Sequence, residues 1–111
     1  MKVSELLKKY SFHDSLVEKI TLDASSSLVD FQIDFCFWMQ PDYENAISET
    51  GIIHLRFAGV SNYSGISGEL DSFSILSINE AAGIVTINLL DDFNDKYFDI
   101  SFSSTEVFFE Q

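Results

Sequence analysis

The stretch between residues 28 and 38 constrains the fold of this chain most strongly, because its side chains alternate strictly between two classes. A period of two residues is typical of a β-strand, whose successive side chains point to opposite faces of a sheet. The inward positions are predicted to be Val29, Phe31, Ile33, Phe35 and Phe37. The outward positions are predicted to be Asp30, Gln32, Asp34 and Cys36. A strand with one such apolar face requires a second layer of structure to cover it.

Further runs with the same period predict a sheet of about six strands. These strands are expected at about residues 15–23, 28–38, 52–60, 73–79, 84–90 and 97–109. Turn-forming residues at 23–27 join the first two runs, and short links between the others favour antiparallel pairing in a meander. In the first run, Leu16, Ile20 and Leu22 are predicted to share the inward face, and in the third run the inward positions are predicted to be Ile53, Leu55 and Phe57. The composition of residues 61–68 predicts a loop.

The two ends of the chain depart from this pattern. Residues 3–10 carry apolar side chains at helical spacing, which predicts a short helix that must dock on the sheet, because two turns are not stable alone. In the last run the apolar positions change parity near Ser104, which predicts a β-bulge or bend within one strand. The sequence therefore predicts one domain, residues 1–111, of the mainly β (α+β) class. We expect a curled antiparallel sheet or a sandwich, mostly a meander, with the N-terminal helix docked on it.

The charge of the chain excludes several classes of partner. The net charge is −12, and four of the six cations lie within the first 20 residues, so the rest of the chain is almost purely anionic. Arg56 is a cation in that part, and we expect it to pair across strands with Asp30 or Asp34. Nucleic acids and anionic membranes both require Lys and Arg, so we expect neither as a partner. The charge favours association with a basic protein, although it could serve only to keep the protein dissolved.

Two observations concern the compartment. No run approaches the roughly 18 apolar residues that span a bilayer, and the first ten residues lack the apolar region of a secretory signal. The single cysteine, Cys36, cannot form an internal disulfide bond. We therefore expect a cytoplasmic protein.

The connection at residues 38–50 is longer than a typical hairpin loop, and loops of this length are often functional. It contains the only Trp and the only Pro of the chain, among several acids. Because Trp and Tyr are enriched at interfaces, a partner-binding surface is predicted here, formed by Trp38, Asp42, Tyr43 and Glu44. Alternatively, Trp38 only ends the second strand and packs over the sheet edge. The competing acidic surfaces are the strand face with Asp30 and Asp34, or the turn with Asp91, Asp92 and Asp95.

The residues offer little for catalysis or for metal binding. Apart from carboxylates, the candidate ligands are His13, His54 and Cys36, and the chain has no CxxC, HxH or HExxH motif. No serine lies in a GxSxG context, and no glycine-rich loop is followed by lysine. We therefore expect no cofactor, no metal and no enzymatic activity. A small hydrolase built on surface carboxylates remains an alternative, and it would need a deep pocket.

The dipeptide His13-Asp14 lies where the helical period gives way to the strand period. At such a junction an Asp side chain typically accepts backbone N–H bonds and fixes the turn. His13 can add a ring hydrogen bond, and Phe12 can anchor the corner in the core. We therefore predict a structural turn at Phe12, His13 and Asp14 rather than a chemical site.

Two short motifs resemble those of a known family. The first is F-H-D-S-x-V-x-x-I, which begins at Phe12, and the second is I-H-L-R-F-A-G-V, which begins at Ile53. Together with the strand order over most of the chain, they are similar to small bacterial immunity proteins of polymorphic toxin systems, in particular the immunity protein 50 family. In that family a His-Asp pair opens the first strand and an L-x-F-x-G-V segment follows, whereas residues 38–50 lie outside the resemblance.

The resemblance implies a non-enzymatic inhibitor that binds and neutralises a cognate toxin, and the acidic character of the chain implies that this toxin is basic. Carboxylates would then face Lys and Arg of the toxin, with aromatic side chains at the centre of the interface. The alternative is a structural or interaction domain without a toxin partner, which could form a homodimer through exposed strand edges.

Overall fold

A computed structural model describes residues 1–37, 40, 50–65 and 73–111. These residues form one short helix and one antiparallel sheet of eight strands, which confirms the mainly β class with an N-terminal helix. In chain order the elements are α1 (Val3–Lys9), β1 (Leu16–Asp23), β2 (Leu28–Cys36), β3 (Thr50–Ala58), β4 (Ser61–Ser64), β5 (Phe73–Ala81), β6 (Ile84–Asp91), β7 (Lys96–Ser103) and β8 (Glu106–Glu110).

The sheet consists of two meanders joined in the middle. The strand order is β4-β7-β6-β5-β1-β2-β3-β8, so β1 to β3 form one meander and β5 to β7 the other. The two meanders meet where β1 pairs with β5, through the register pairs Leu16–Ser74 and Val17–Phe73. This junction is only two residue pairs long, so the two meanders can take different orientations in the curled sheet.

The sheet has eight strands, whereas the sequence predicts about six, and the first of the two additional strands is β4. Strand β4 lies within residues 61–68, which were expected to form a loop. All four of its side chains are exposed, so it has no apolar alternation, and it pairs at the edge of the sheet with β7. A short polar edge strand lacks the pattern from which strands are predicted from sequence.

The other correction concerns residues 97–109, which form two strands instead of one bulged strand. Ser104 and Thr105 separate β7 from β8, and the two strands pair at distant places in the order, β7 with β6 and β8 with β3. The change of parity at Ser104 therefore marks a change of partner strand. Alternation reports which side chains are buried, but it contains no information about the neighbouring strand.

The sheet curls so that its two halves enclose one core. The rings of Phe31 and Phe57, from β2 and β3, lie 6.4 and 5.0 Å from the ring of Phe102 on β7. The Ser104 hydroxyl donates to the Ala58 carbonyl oxygen at 2.9 Å, which fixes the crossing between the halves. The predicted inward faces of β2 and β3 are confirmed at their fully buried positions, which are Val29, Phe31, Ile33, Phe35, Ile53, Leu55 and Phe57.

The inward face of β1 differs from its prediction. Val17 and Ile20 are fully buried, whereas Leu16 is 43% exposed. The register with β2 shifts between Val17 and Lys19, which is the mark of a β-bulge. The extra residue, Glu18, changes the alternation. The inward side chains are therefore Val17 and Ile20, and Leu16 lies on the outer face.

Helix α1 is held on the sheet by its own buried side chains and by Tyr10, the residue that follows it. Val3 and Leu6 are buried in the core, and the Tyr10 ring stacks on Phe109 of β8 with centroids 4.3 Å apart. The backbone of Met1 pairs with Val107, in both directions, at 2.9 and 3.1 Å. A seven-residue helix depends on such contacts for its stability. Within the described residues, no helix is long and apolar enough to cross a membrane.

Candidate protein-binding surface

The predicted partner-binding residues divide into two groups. Trp38, Asp42, Tyr43 and Glu44 lie outside the described residues. Asp30 and Asp34 lie on the outer face of β2, as predicted, because the side chains that alternate with them are in the core.

Asp30 belongs to a cluster in which two acids pair with Arg56 and His54, the paired-charge cluster of Asp30, His54, Arg56 and Glu110. Asp30 lies opposite Arg56 in the register, and Arg56 Nε is 3.4 Å from Asp30 Oδ1. Arg56 Nη1 is 3.0 Å from Glu110 Oε2, and His54 Nδ1 is 3.2 Å from Asp30 Oδ2. The expected cross-strand pair of Arg56 is therefore with Asp30, while the alternative partner, Asp34, lies opposite Ile52.

Asp34 instead belongs to a line of outward side chains that crosses six strands. Consecutive register pairs connect Ile52 to Asp34, Asp34 to Leu16, Leu16 to Ser74, Ser74 to Leu90 and Leu90 to Tyr97. We call these six residues the outer row. At about 4.8 Å between strands it extends roughly 24 Å over the outer face. Three of its apolar members are substantially exposed, Leu16 at 43%, Ile52 at 47% and Tyr97 at 71%.

The hairpin turn between β6 and β7, residues 91–95, places a further aromatic side chain beside this row. We call it the Phe93 turn, because the Phe93 side chain at its tip is 84% exposed. Asp91 Oδ1 accepts the backbone N–H groups of Phe93 and Asn94 at 3.0 and 3.2 Å, and Asp91 Oδ2 accepts from the Asn94 side-chain amide at 2.8 Å. These bonds, chiefly that with the Asn94 side chain, hold the pKa of Asp91 below its ordinary value. The turn is thus ordered by its first residue, and it presents Phe93 outward.

Asp92 connects the Phe93 turn to the outer row. Its Oδ2 atom accepts the Ser74 hydroxyl at 2.7 Å, and Ser74 is the register partner of both Leu16 and Leu90. A depression of about 260 Å³ lies between the turn and β1, lined by Leu16, Val17, Glu18, Asp92 and Phe93. Apolar and carboxylate side chains therefore meet at one place on the outer face.

On this surface, the sequence predicts only acids as contact residues. Asp34, Asp91, Asp92 and Asp95 were candidates, but Leu16, Phe93 and Tyr97 were not. The usable signal was a phenylalanine at the centre of the acidic turn D-D-F-N-D, a position at which a large apolar side chain has little to pack against. The exposure of Leu16 cannot be predicted from the sequence, because the bulge that turns it outward leaves no mark in the apolar pattern.

The His13-Asp14 corner is held chiefly by its backbone. The Asp14 N–H donates to the Ile75 carbonyl at 3.0 Å, and Asp14 adopts φ of 66°, in the left-handed region. His13 Nδ1 donates to the Leu76 carbonyl at 2.8 Å, and Phe12 is buried against the Phe35 ring. The Asp14 carboxylate, expected to accept backbone N–H bonds, is instead exposed and lies 3.4 Å from His13 Nε2.

The same corner buries Cys36, which was expected to face outward. The Cys36 N–H donates to the Ser15 hydroxyl at 3.1 Å, and its thiol lies 3.6 Å from the Asp14 carbonyl oxygen. The side chain of Gln40 donates to the Cys36 carbonyl and is itself buried. In the part of the chain that the structure describes, no group of three or more His, Cys, Asp or Glu side chains is arranged to hold a metal ion.

Comparison with known proteins identifies no relative, since no family model, no curated protein and no solved structure matches the chain.

Proposed function

We propose that this protein binds a basic protein partner through the outer row and the Phe93 turn, and that the partner is a toxin which the complex neutralises. The observation that carries the proposal is the exposed Phe93 ring, which lines one depression with Leu16 and the acids Glu18 and Asp92. The toxin as partner rests on the resemblance to immunity proteins in the motifs beginning at Phe12 and Ile53.

The composition of this surface supports binding of a protein. Interfaces are enriched in exposed aromatic side chains at their centre, and truncation of such anchors typically lowers affinity most. Carboxylates around the anchors select a basic partner and repel an acidic one. The net charge of −12 adds long-range attraction, which accelerates association with a basic protein at low ionic strength.

The described strand ends on either side of the predicted contacts at residues 38–50 adjoin the outer row. The chain leaves β2 at Cys36 and enters β3 at Thr50, and both strand ends adjoin Asp34 and Ile52 of the outer row. We therefore retain Trp38, Asp42, Tyr43 and Glu44 as proposed partner contacts. If neutralising Asp42 and Glu44 leaves partner affinity and its salt dependence unchanged, these contacts are not part of the surface.

The test uses the polypeptide encoded by the open reading frame adjacent to this one, purified in inactive form. We expect a basic polypeptide that binds this protein with affinity that falls as salt concentration rises. Phe93→Ser should lower the affinity by on the order of 30-fold, the effect of losing an aromatic anchor. Phe108→Ser is the matched control, because Phe108 is an exposed phenylalanine on β8, outside the outer row, and this variant should change the affinity by less than about twofold.

Two results would overturn the proposal. One is an adjacent product that does not bind. The other is equal loss of affinity in the Phe93 and Phe108 variants, which would mean that the Phe93 turn is not the contact surface.

A homodimer is the competing interpretation, since the exposed side chains of the outer row could also meet those of a second copy. Such a dimer would bring the carboxylates of Asp34, Glu18 and Asp92 in two copies close together, which is unfavourable at low salt. We therefore expect a monomer in sedimentation equilibrium at low ionic strength. A dimer that dissociates on Phe93→Ser would favour the competing interpretation.

A further inference from the structure

The depression between β1 and the Phe93 turn has a composition that fits one particular side chain. We infer that it seats a single arginine side chain of the partner and that it discriminates against lysine. This inference rests on the proposed function, because it names the group of the basic partner that occupies the centre of the surface.

The depression is large enough to hold one long side chain. Its volume of about 260 Å³ exceeds the share of one water molecule, about 30 Å³, many times over. It lies below the range of about 300–1,000 Å³ that is common for small-molecule sites. Leu16 supplies an aliphatic wall from β1 and remains 43% exposed there. Such a wall suits the methylene stem of a long basic side chain.

Two carboxylates line the same depression from different elements. Asp92 lies in the turn, where it accepts a hydrogen bond from the Ser74 hydroxyl at 2.7 Å, and Ser74 is the register partner of Leu16. Glu18 lies on β1, at the bulge between Val17 and Lys19. A guanidinium group carries five N–H donors in one plane and pairs with more than one carboxylate oxygen at once, whereas an ammonium group is a compact point charge.

The aromatic ring distinguishes the two cations further. Phe93 lines the depression and is 84% exposed, so its faces are accessible to a partner. A guanidinium plane stacks on an aromatic face while its edge donates to carboxylates, and a lysine ammonium cannot do both as well. Asp91 accepts hydrogen bonds from the Phe93 and Asn94 N–H groups, and these bonds order the turn before binding. This order lowers the entropic cost of binding the arginine side chain.

The test is a titration of the isotope-labelled full chain with two small probes, Nα-acetyl-arginine amide and Nα-acetyl-lysine amide, followed by amide chemical shifts in NMR spectra. We expect the arginine probe to shift the amides of Leu16, Glu18 and Phe93. We expect its affinity to be at least threefold higher than that of the lysine probe. Phe93→Leu, which keeps an apolar side chain but removes the ring face, should reduce the affinity for the arginine probe to that for the lysine probe.

A pair of isosteric variants tests the carboxylate. Asp92→Asn should weaken binding of both probes, because it removes a charge that lines the depression. Glu106→Gln removes the same charge from an exposed position on β8, outside the outer row and the Phe93 turn, and it should leave both affinities unchanged. Thermal unfolding of each variant verifies that the fold is retained.

The inference is overturned if both probes bind equally, if the shifts lie elsewhere, or if neither probe binds at concentrations up to tens of millimolar. These outcomes are distinct from failure of the proposed function. If the adjacent gene product loses affinity with Phe93→Ser while the probes show no preference, only the arginine seat is wrong. If the arginine probe binds as expected but the gene product does not bind, only the proposed partner is wrong.

Discussion

The paired-charge cluster and the Phe93 surface, meaning the outer row with the Phe93 turn, look alike in sequence and differ in structure. Both are rich in acids and both lie on the outer face of the sheet. In the cluster, Asp30 and Glu110 each lie within 3.4 Å of Arg56, so the two carboxylates share one cation across strands. On the Phe93 surface, the carboxylates of Glu18 and Asp92 lie beside exposed apolar side chains. Acid content alone therefore does not identify a binding surface, and neither does an exposed ring, because Phe108 is 43% exposed opposite Arg56 in the register. The Phe93 surface differs because its ring, 84% exposed, lines one depression together with carboxylates.

The largest expected difference between the two regions is in affinity for the partner. The double variant Glu18→Gln, Asp92→Asn should weaken binding about tenfold or more, which corresponds to about 1.4 kcal/mol, since interfacial charge pairs contribute at this level. The double variant Asp30→Asn, Glu110→Gln changes the net charge by the same amount. It should alter affinity by no more than about twofold, as measured by titration calorimetry with the adjacent gene product.

Equal losses in the two double variants would break the comparison. They would mean that the partner responds only to the total charge of the protein, and that the arrangement of carboxylates around Phe93 has no role of its own.

A smaller effect is expected at the His13-Asp14 corner, which contains charged side chains but is assigned to the fold. Asp14→Ala should lower the free energy of unfolding by about 1 kcal/mol, because alanine disfavours the left-handed conformation at φ of 66°. Asp14→Gly loses the same contact with His13 but adopts this conformation readily, so it should be more stable than the alanine variant. Urea unfolding measures both, and partner affinity per folded molecule should be unchanged.

If the two Asp14 variants lose stability equally, the carboxylate contact with His13, and not the backbone conformation, stabilises the corner. A loss of partner affinity in a fully folded Asp14 variant would instead place the corner in the binding surface.

The sequence predicts the buried part of this fold better than its surface. Alternation identifies the inward faces of β2 and β3 because burial of alternate residues is a local property of the chain. The bulge at Glu18, the polar edge strand β4 and the pairing of β8 with β3 depend on tertiary contacts, which leave no local pattern. For the site, the acids are visible in composition, but the exposure of Leu16, Phe93 and Tyr97 follows only from the register and the turn.

The free energy of unfolding should depend more on the paired-charge cluster than on the Phe93 surface, which is the reverse of the expectation for affinity. Arg56→Met removes the pairing of Arg56 with Asp30 and Glu110, and it should cost up to about 1 kcal/mol, since all three side chains are partly exposed. Phe93→Ser should change the free energy of unfolding by less than about 0.5 kcal/mol, because the ring is exposed. Urea unfolding at low and high salt provides the test, and the loss in Arg56→Met should shrink at high salt. A larger loss in Phe93→Ser would identify Phe93 as a structural residue.

The smallest expected effect is on the decline of stability at low pH. It allows a comparison of two hairpin turns, one from each half of the sheet. Hydrogen bonds lower the pKa of Asp91, chiefly through the Asn94 side chain, and that of Asp23, chiefly through the Ser25 side chain, both from an ordinary value of 3.8. A carboxyl group with a lowered pKa in the folded state stabilises the fold above its unfolded pKa. This contribution is lost as the pH falls through the folded pKa, so the window lies below about pH 4.

Asp91→Asn and Asp23→Asn should therefore each reduce the decline of stability on acidification, measured by thermal unfolding between about pH 4 and pH 2. The two effects should add in the double variant, because the turns are in different hairpins and share no hydrogen bond. Only Asp91→Asn should also alter partner affinity, since Asp91 orders the turn that presents Phe93. An equal change of affinity in Asp23→Asn would show that loss of charge, and not the order of the Phe93 turn, determines the response.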